Sequence, residues 1–421
     1  MALTDNAPST ATRWLAEHHI AILLIAILAL FPFSMSHQLP QLILAIIGLA
    51  IIFRKQAEAW KQPEVRLFLV VYGLIFVPLV ISMFSAADMD KAISTSARYL
   101  AFLFIGLAVL LASPGRRLSP ALLWAVVIIP SIWVFDGLVQ HFAGTNLLGY
   151  PTVNNQVTGL FYPKRGMGIF LAHLAPLYLE ALRRLSPGRP WLWLLVIPYV
   201  TVVLLGGSRS SWMTLLLTLL AYSAYLAVIY RVSWKRVMGL GAAIILAGIL
   251  TASFSTGLQE RLERTAGVLS LDFEQWDYAT SNRMTVWSAA IRVLQDHWLT
   301  GVGARGFTPV AMDSNYMDYK YSHVHLFILE VPVATGVLGL AAYLAVLAIL
   351  IAWFIGQKGR RRVLFAPWLA IMLALFPLNV HWHFYGTSFT SLFWFIFLVG
   401  MIISRETSPQ PEHQETARTQ P

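Results

Sequence analysis

The sequence predicts an all-α polytopic membrane protein of about 12 transmembrane helices, and three observations carry that expectation. Of its 421 residues 57% are hydrophobic and only 12% are charged, where a soluble domain carries about 25% charge. Apolar runs of spanning length, roughly 17–25 residues, recur from end to end. The lysines and arginines that set the net charge of +10 lie in short clusters between those runs, a pattern that orients a membrane protein rather than one that binds nucleic acid. Cysteine is absent, which excludes disulfides, thiol catalysis and cysteine metal sites.

The spans are expected near 19–36, 39–53, 67–85, 98–113, 119–139, 167–182, 190–206, 211–230, 237–254, 327–355, 363–379 and 387–404. The second and sixth are short enough for a hairpin or re-entrant reading. The first has no small-residue cleavage site after it and reads as a retained span. Every second loop is basic: Arg54, Lys55, Lys61 and Arg66, then Arg116 and Arg117, then Arg183, Arg184 and Arg189, then Arg231, Lys235 and Arg236, then Lys358 to Arg362. The positive-inside rule makes these loops cytoplasmic, and both termini with them.

The expected organisation is a cytoplasmic N-terminus over 1–18, nine spans over 19–254, a helix-containing outer loop over 255–324, three spans over 325–404 and a polar, disordered tail over 405–421. The outer loop is too polar to cross a membrane and too long for a plain connection, and loops of that length are usually functional. Within it, Ser281 or Asn282 is placed to cap a helix carrying Arg283, Trp287, Ile291 and Leu294. Gly301, Gly303 and Gly306 then interrupt the chain.

Three residues stand out for chemistry. Arg209 sits in Gly206-Gly207-Ser208-Arg209-Ser210-Ser211-Trp212, a Gly/Ser turn at the outer boundary, where a cation is paired, functional or snorkelling. Arg283 opens the outer-loop helix, and a helix N-terminus with an arginine favours a phosphate; a solvated loop arginine is the plainer alternative. His325 precedes the apolar run after Ser322, a candidate cap. A histidine in the first turn would be held neutral by the helix dipole, as a general base requires, though a boundary histidine is often only structural. Lys164 and Arg165 add positive charge on the same side, suited to a phosphorylated acceptor or anionic lipid headgroups. His323 with His325, and His381 with His383, form two His-x-His pairs with no carboxylate nearby, and Asp88 and Asp90 form a lone Asp-x-Asp; neither pattern argues for a metal site. Pro332 and Gly336 predict a kink in the span after His325. No phosphate-binding glycine loop, dinucleotide fingerprint or nucleophilic serine elbow is present.

Several segments together resemble the O-antigen ligase and polymerase superfamily. His325-Leu326, nine residues and then Gly336-Val337-Leu338-Gly339 resembles its H[NSQ]-x9-G-x-x-[GTY] motif, with Leu326 standing where the family has a polar residue. Arg283, Trp287, Gly301-Val302-Gly303 and Phe307 resemble its outer-loop pattern, and Gly207 to Trp212 its SRG[AS]W-like turn. The resemblance covers about 150–345. It implies a GT-C-type glycosyltransferase of the bacterial inner membrane, with its large periplasmic loop between helices 9 and 10 and its active site facing the periplasm. It implies a glycan on undecaprenyl diphosphate as donor and, for the ligases, lipid A-core as acceptor, with no cofactor or metal. On this reading His325 is catalytic and Arg209 and Arg283 bind the diphosphate, with Lys164, Arg165, His323 and Trp287 as further substrate contacts. A polymerase using the same donor is the nearest alternative, followed by a protein-glycosylation ligase. A twelve-span transporter fits less well: the halves do not match, and acidic residues in or near the spans reduce to a few such as Asp136, Glu180 and Glu330.

Overall fold

The structure is a computed structural model that describes residues 10–53, 60–112, 120–266, 273–318 and 320–405. The basic positions Arg54, Lys55, Arg116 and Arg117, the first nine residues and the tail from 406 lie outside the described residues. Every regular element described is helical. In chain order these are α1 (Thr10–Leu30), α2 (Gln38–Ile52), α3 (Pro63–Ile81), α4 (Met89–Leu111), α5 (Pro120–Ala143), α6 (Met167–Leu185), α7 (Val196–Leu205), α8 (Arg209–Ile229), α9 (Trp234–Phe254), α10 (Thr256–Ala266), α11 (Phe273–Thr280), α12 (Arg283–Asp296), α13 (Phe307–Asp313), α14 (Phe327–Gly356), α15 (Arg361–Ala374) and α16 (Thr387–Arg405).

Six helical stretches among the described residues have the length and apolar character to cross a membrane: Pro63–Ser85, Met89–Leu111, Pro120–Ala143, Arg209–Ile229, Phe327–Gly356 and Thr387–Arg405. A seventh crossing is available if Gly241–Ser253 and Thr256–Arg264, bent by 100° at their junction, act as one broken span. His18–Leu30, Gln38–Ile52 and Pro190–Leu205 are apolar but shorter. The molecule is therefore a multi-pass membrane protein.

Burial separates centre from rim. The most apolar stretch of α16 is 89% buried and that of α8 only 22%, so α16 is central and α8 presents most of its surface outward. Aromatic residues fill the centre: Trp394 packs edge-on against Phe68 of α3 and stacks with Phe102 of α4. Two of the buried carboxylates, Glu180 and Asp136, hold polar partners. Glu180 accepts from Arg183, Arg184 and Tyr222 at 2.6–2.9 Å. Asp136 accepts from the Leu147 and Asn146 amides at 3.0 and 3.4 Å and fixes the connector after α5.

The segment 255–324 is not loose. Val286, Ala289, Ala290 and Val293 of α12 pack with Val302, Phe307 and Ala311 into a small core of their own, closed by Val333 of α14. The cap of α12 differs from the expected one. Asp277 accepts from the Met284 and Thr285 amides at 2.9 and 3.3 Å, while Ser281 and Asn282 both take left-handed backbone conformations that turn the chain. A carboxylate folding back across that turn does the work expected of the adjacent residue.

The same segment docks on α14 through backbone. The helix breaks at Gly336, with φ 67° and ψ −167°, which frees peptide groups on either side. Val302 and Gly303 donate to the Val333 and Ala334 carbonyls at 2.9 and 3.0 Å, and Val337 donates to the Trp298 carbonyl at 2.9 Å. A Cβ at Gly336 would lie 2.0 Å from the Leu299 carbonyl oxygen, and one at Gly301 would lie 2.5 Å from the Ala334 carbonyl carbon. The glycines of the sequence motif are thus where two backbones meet. Gly336→Ala should lower the melting temperature in detergent, since forcing a side chain into that φ costs about 1–3 kcal/mol before the clash is counted. An unchanged melting temperature would mean that the segment can detach from α14 without consequence.

Candidate functional site

Four chain segments meet around the histidines: the turn 206–211 into α8, the turn 281–283 into α12, the connector 320–326 into α14, and the connector 377–386 between α15 and α16. The last organises the rest. Its Pro377 and Asn379 carbonyls accept from the Ile328 and Phe327 amides at 3.0 and 3.2 Å, which satisfies the first turn of α14. Ser322, the expected cap, instead contacts the His323 ring at 2.8 Å. Asn379 bridges His173 of α6 and the His381 amide at 3.3 and 3.0 Å. His381 Nδ1 meets Ser208 Oγ at 3.1 Å and Ser210 Oγ at 2.9 Å. The Gly/Ser turn carrying Arg209 is therefore tied, through His381, to the connector that holds His325.

His325 lies two residues before α14, not in its first turn, and takes a left-handed backbone with φ 58°. Its Nδ1 is 3.1 Å from the Val380 carbonyl oxygen. A carbonyl only accepts, so Nδ1 carries the proton and Nε2 presents a lone pair. Burial, followed by the nearby Arg283 charge, lowers its pKa to about 4. The ring is neutral at pH 7, and the cause is burial and a neighbouring cation rather than the helix dipole. The His323 ring lies against it at a centroid distance of 3.7 Å, and His383 lies 5.8 Å beyond His323. Burial and the surrounding positive groups hold His383 down to about 3, so this strip of rings is uncharged.

Arg209 is the first residue of α8 and donates from Nη2 to Ser281 Oγ at 3.0 Å. Arg283 is the first residue of α12. Burial and the charge of Arg209 lower the Arg283 pKa to about 10. The charges of the two guanidiniums therefore bear on one another in a partly desolvated place, and that of Arg283 bears on His325. That arrangement is unfavourable until an anion joins it. Arg261 stands close by, donating to the Gly207 and Asn154 carbonyls at 3.1 Å each.

A cavity of about 850 Å³ opens next to the histidine strip. Lys91, Arg98, Lys164, Arg305 and Lys320 line it, and among the described residues no carboxylate does. His323, His381 and His383 form part of its wall. Glu330 stands behind His383, with Oε1 3.1 Å from Nδ1 of that ring. The cavity has the charge and size for an anionic ligand as large as a short saccharide.

The residues singled out from sequence divide accordingly. Arg209, Arg283, His325 and His323 converge, and Lys164 lines the cavity. Arg165 is exposed. Trp287 packs against the small core of the 255–324 segment, with its indole N–H buried and without a partner among the described residues. Asp88 of the Asp-x-Asp pair caps α4 by accepting from the Lys91 amide at 3.0 Å. Arg98 and Arg305 escaped the sequence reading. For Arg98 a signal existed, because a cation inside an apolar helix is costly unless it has a task; for Arg305 there was none.

Its described elements make this an all-helical, multi-pass membrane protein with a cation-lined cavity beside a neutral histidine. The particular assignment comes from one segment: residues 194–344 match the Wzy_C family, described as O-Antigen ligase. The match is consistent with the O-antigen ligase superfamily, and Arg209, Arg283 and His325 all fall within the matched residues. A comparison with curated proteins found no match.

Proposed function

We propose that the protein is an O-antigen ligase, transferring O-antigen polysaccharide from undecaprenyl diphosphate to lipid A-core at the periplasmic face of the inner membrane during lipopolysaccharide biosynthesis. The observation that carries this reading is His325, whose Nδ1 is tied to the Val380 carbonyl so that Nε2 is unprotonated, and which feels the charge of Arg283, itself close enough to Arg209 to feel that charge in turn. The acceptor hydroxyl gives its proton to Nε2 as its oxygen attacks the anomeric carbon of the donor. The bond from that carbon to the phosphate oxygen breaks, inverting the centre, and undecaprenyl diphosphate leaves with the electron pair and an added negative charge. Arg283 and Arg209 stabilise that charge, which grows as the bond breaks. The two arginines take the place of a divalent cation, so the transfer is metal-independent. EDTA should leave the rate unchanged, and restoration by added divalent ion after EDTA inhibition would reverse that assignment.

The cationic cavity suits the acceptor, with Lys164 among its contacts. The overall arrangement proposed is GT-C-like, with 12 spans built from the six long helices, the three shorter apolar helices, α6, α9 and α15, and with 255–324 as the periplasmic segment. A transporter is disfavoured by Asp136 and Glu180, whose structural partners leave them no ion to carry. The family match covers polymerases as well as ligases, and one assay separates them. Purified protein with undecaprenyl-diphosphate glycan is expected to label lipid A-core only when that acceptor is added. Longer glycan on the lipid carrier, without need of lipid A-core, would make it a polymerase.

A further inference from the structure

A second cavity, of about 330 Å³, lies between α2, α4 and α16. Leu39 and Leu42 of α2 form one wall and Ala101, Phe102 and Ile105 of α4 another. Leu39 and Leu42 are 65% and 57% exposed, so this wall continues into the outward, lipid-facing surface of α2. Arg98 and Thr387 line both this groove and the cationic cavity. An apolar groove thus runs into a polar, positively charged chamber, with one arginine at the junction.

Arg98 is held for that position. Its Nη1 binds Thr387, its Nη2 donates to Thr95 Oγ1 at 3.1 Å and its Nε donates to the Ser94 carbonyl at 3.2 Å. A guanidinium has five N–H donors, so two remain. Among the described residues no carboxylate pairs with it. The local form is that of a receptor for a hydrocarbon chain ending in a phosphate.

We propose that this groove seats a hydrocarbon chain of the membrane-anchored acceptor, with the acceptor's lipid-proximal phosphate on Arg98. The proposal rests on the glycan-transfer reading above. The donor is the less suitable occupant. Its sugar–phosphate bond must lie at the base, and the cation beside His325 is Arg283. Arg98 instead neighbours His383, which is separated from His325 by the His323 ring. A phosphate on Arg98 therefore sits at the His383 end of the histidine strip rather than at the His325 end, and the 850 Å³ chamber provides the room for the sugars that link it to the attacking hydroxyl.

The test is direct binding by the full chain in phosphatidylcholine nanodiscs, read by native mass spectrometry. The probes are bisphosphorylated lipid A and undecaprenyl diphosphate. Ala101→Trp fills the groove from one wall and Leu42→Trp from the other, where an exposed position tolerates the added bulk without disturbing the core. Arg98→Gln removes the charge. Each variant should weaken lipid A binding roughly tenfold or more, the scale of one charge-assisted contact, and leave undecaprenyl diphosphate within about twofold. Loss of undecaprenyl diphosphate binding instead would assign the groove to the donor. No effect on either probe would leave it to bulk lipid; both results overturn the proposal. His325→Ala should retain both binding affinities, so failure of the transfer chemistry is read separately from failure of this site.

Discussion

His325→Ala is expected to abolish measurable glycan transfer while the protein still reaches the membrane and melts as before. General-base catalysis contributes about 10²–10⁴-fold, and this ring has one base-competent nitrogen because Val380 fixes the proton on the other. Its single backbone contact at 3.1 Å is a small part of the fold, so folding should survive its loss. The pH dependence sharpens the test. With the imidazole pKa near 4, the base stays unprotonated through the neutral range, and kcat/KM should fall only as the pH drops toward that value rather than near the ordinary 6.5. Arg283→Gln removes a positive charge that disfavours the imidazolium, so it should move the acid limb upward. The movement is partial, because burial is the larger cause. Normal transfer by His325→Ala would remove the ring from the chemistry altogether.

Some of this was legible in the sequence, for identifiable reasons. Hydropathy marked the long spans because each is a local run; the helices Pro120–Ala143 and Phe327–Gly356 lie where the apolar residues end. The break in α14 was legible as Pro332 and Gly336, though only the structure shows that Gly336 alone carries the non-helical backbone. Arg209, Arg283 and His325 were singled out because each has a local setting that marks it: a cation in a Gly/Ser turn, an arginine opening a helix and a histidine at the edge of an apolar run. What holds them was not legible. Val380 is 55 positions from His325 and Thr387 is 289 from Arg98, and no periodicity links such pairs. The two missed caps share one cause. Local rules look to the adjacent side chain, whereas α12 is capped by a carboxylate reaching back across a turn and α14 by carbonyls of a connector that follows it in sequence. The chamber was half legible: Lys164 was visible as charge on the right side, but Arg305 had nothing local to distinguish it.

Arg283→Ala should cost the reaction more than Arg209→Ala, although the charge of each bears on the other. Arg283 is the guanidinium whose charge His325 feels, and it makes no side-chain hydrogen bond among the described residues, so its donors are available to the leaving diphosphate. Arg209 already spends one donor on Ser281. Removing a group that stabilises developing charge typically lowers kcat by about 10²–10³-fold, and that is the loss expected for Arg283→Ala, with a smaller loss for Arg209→Ala. Arg283→Lys should recover only part, since an ammonium keeps the charge but not the paired geometry that suits a phosphate. The double variant should fall short of the product of the single losses. Each arginine presently raises the cost of keeping the other charged, so removing one relieves the survivor, and groups acting on one leaving group do not contribute independently. The measurement is kcat and KM for the donor in all four proteins. A change confined to KM would make the pair a binding site for the ground state only. Unchanged kinetics in both single variants would remove the diphosphate site from this end of the histidine strip and leave Arg98 and Arg305 as the cations beside His383.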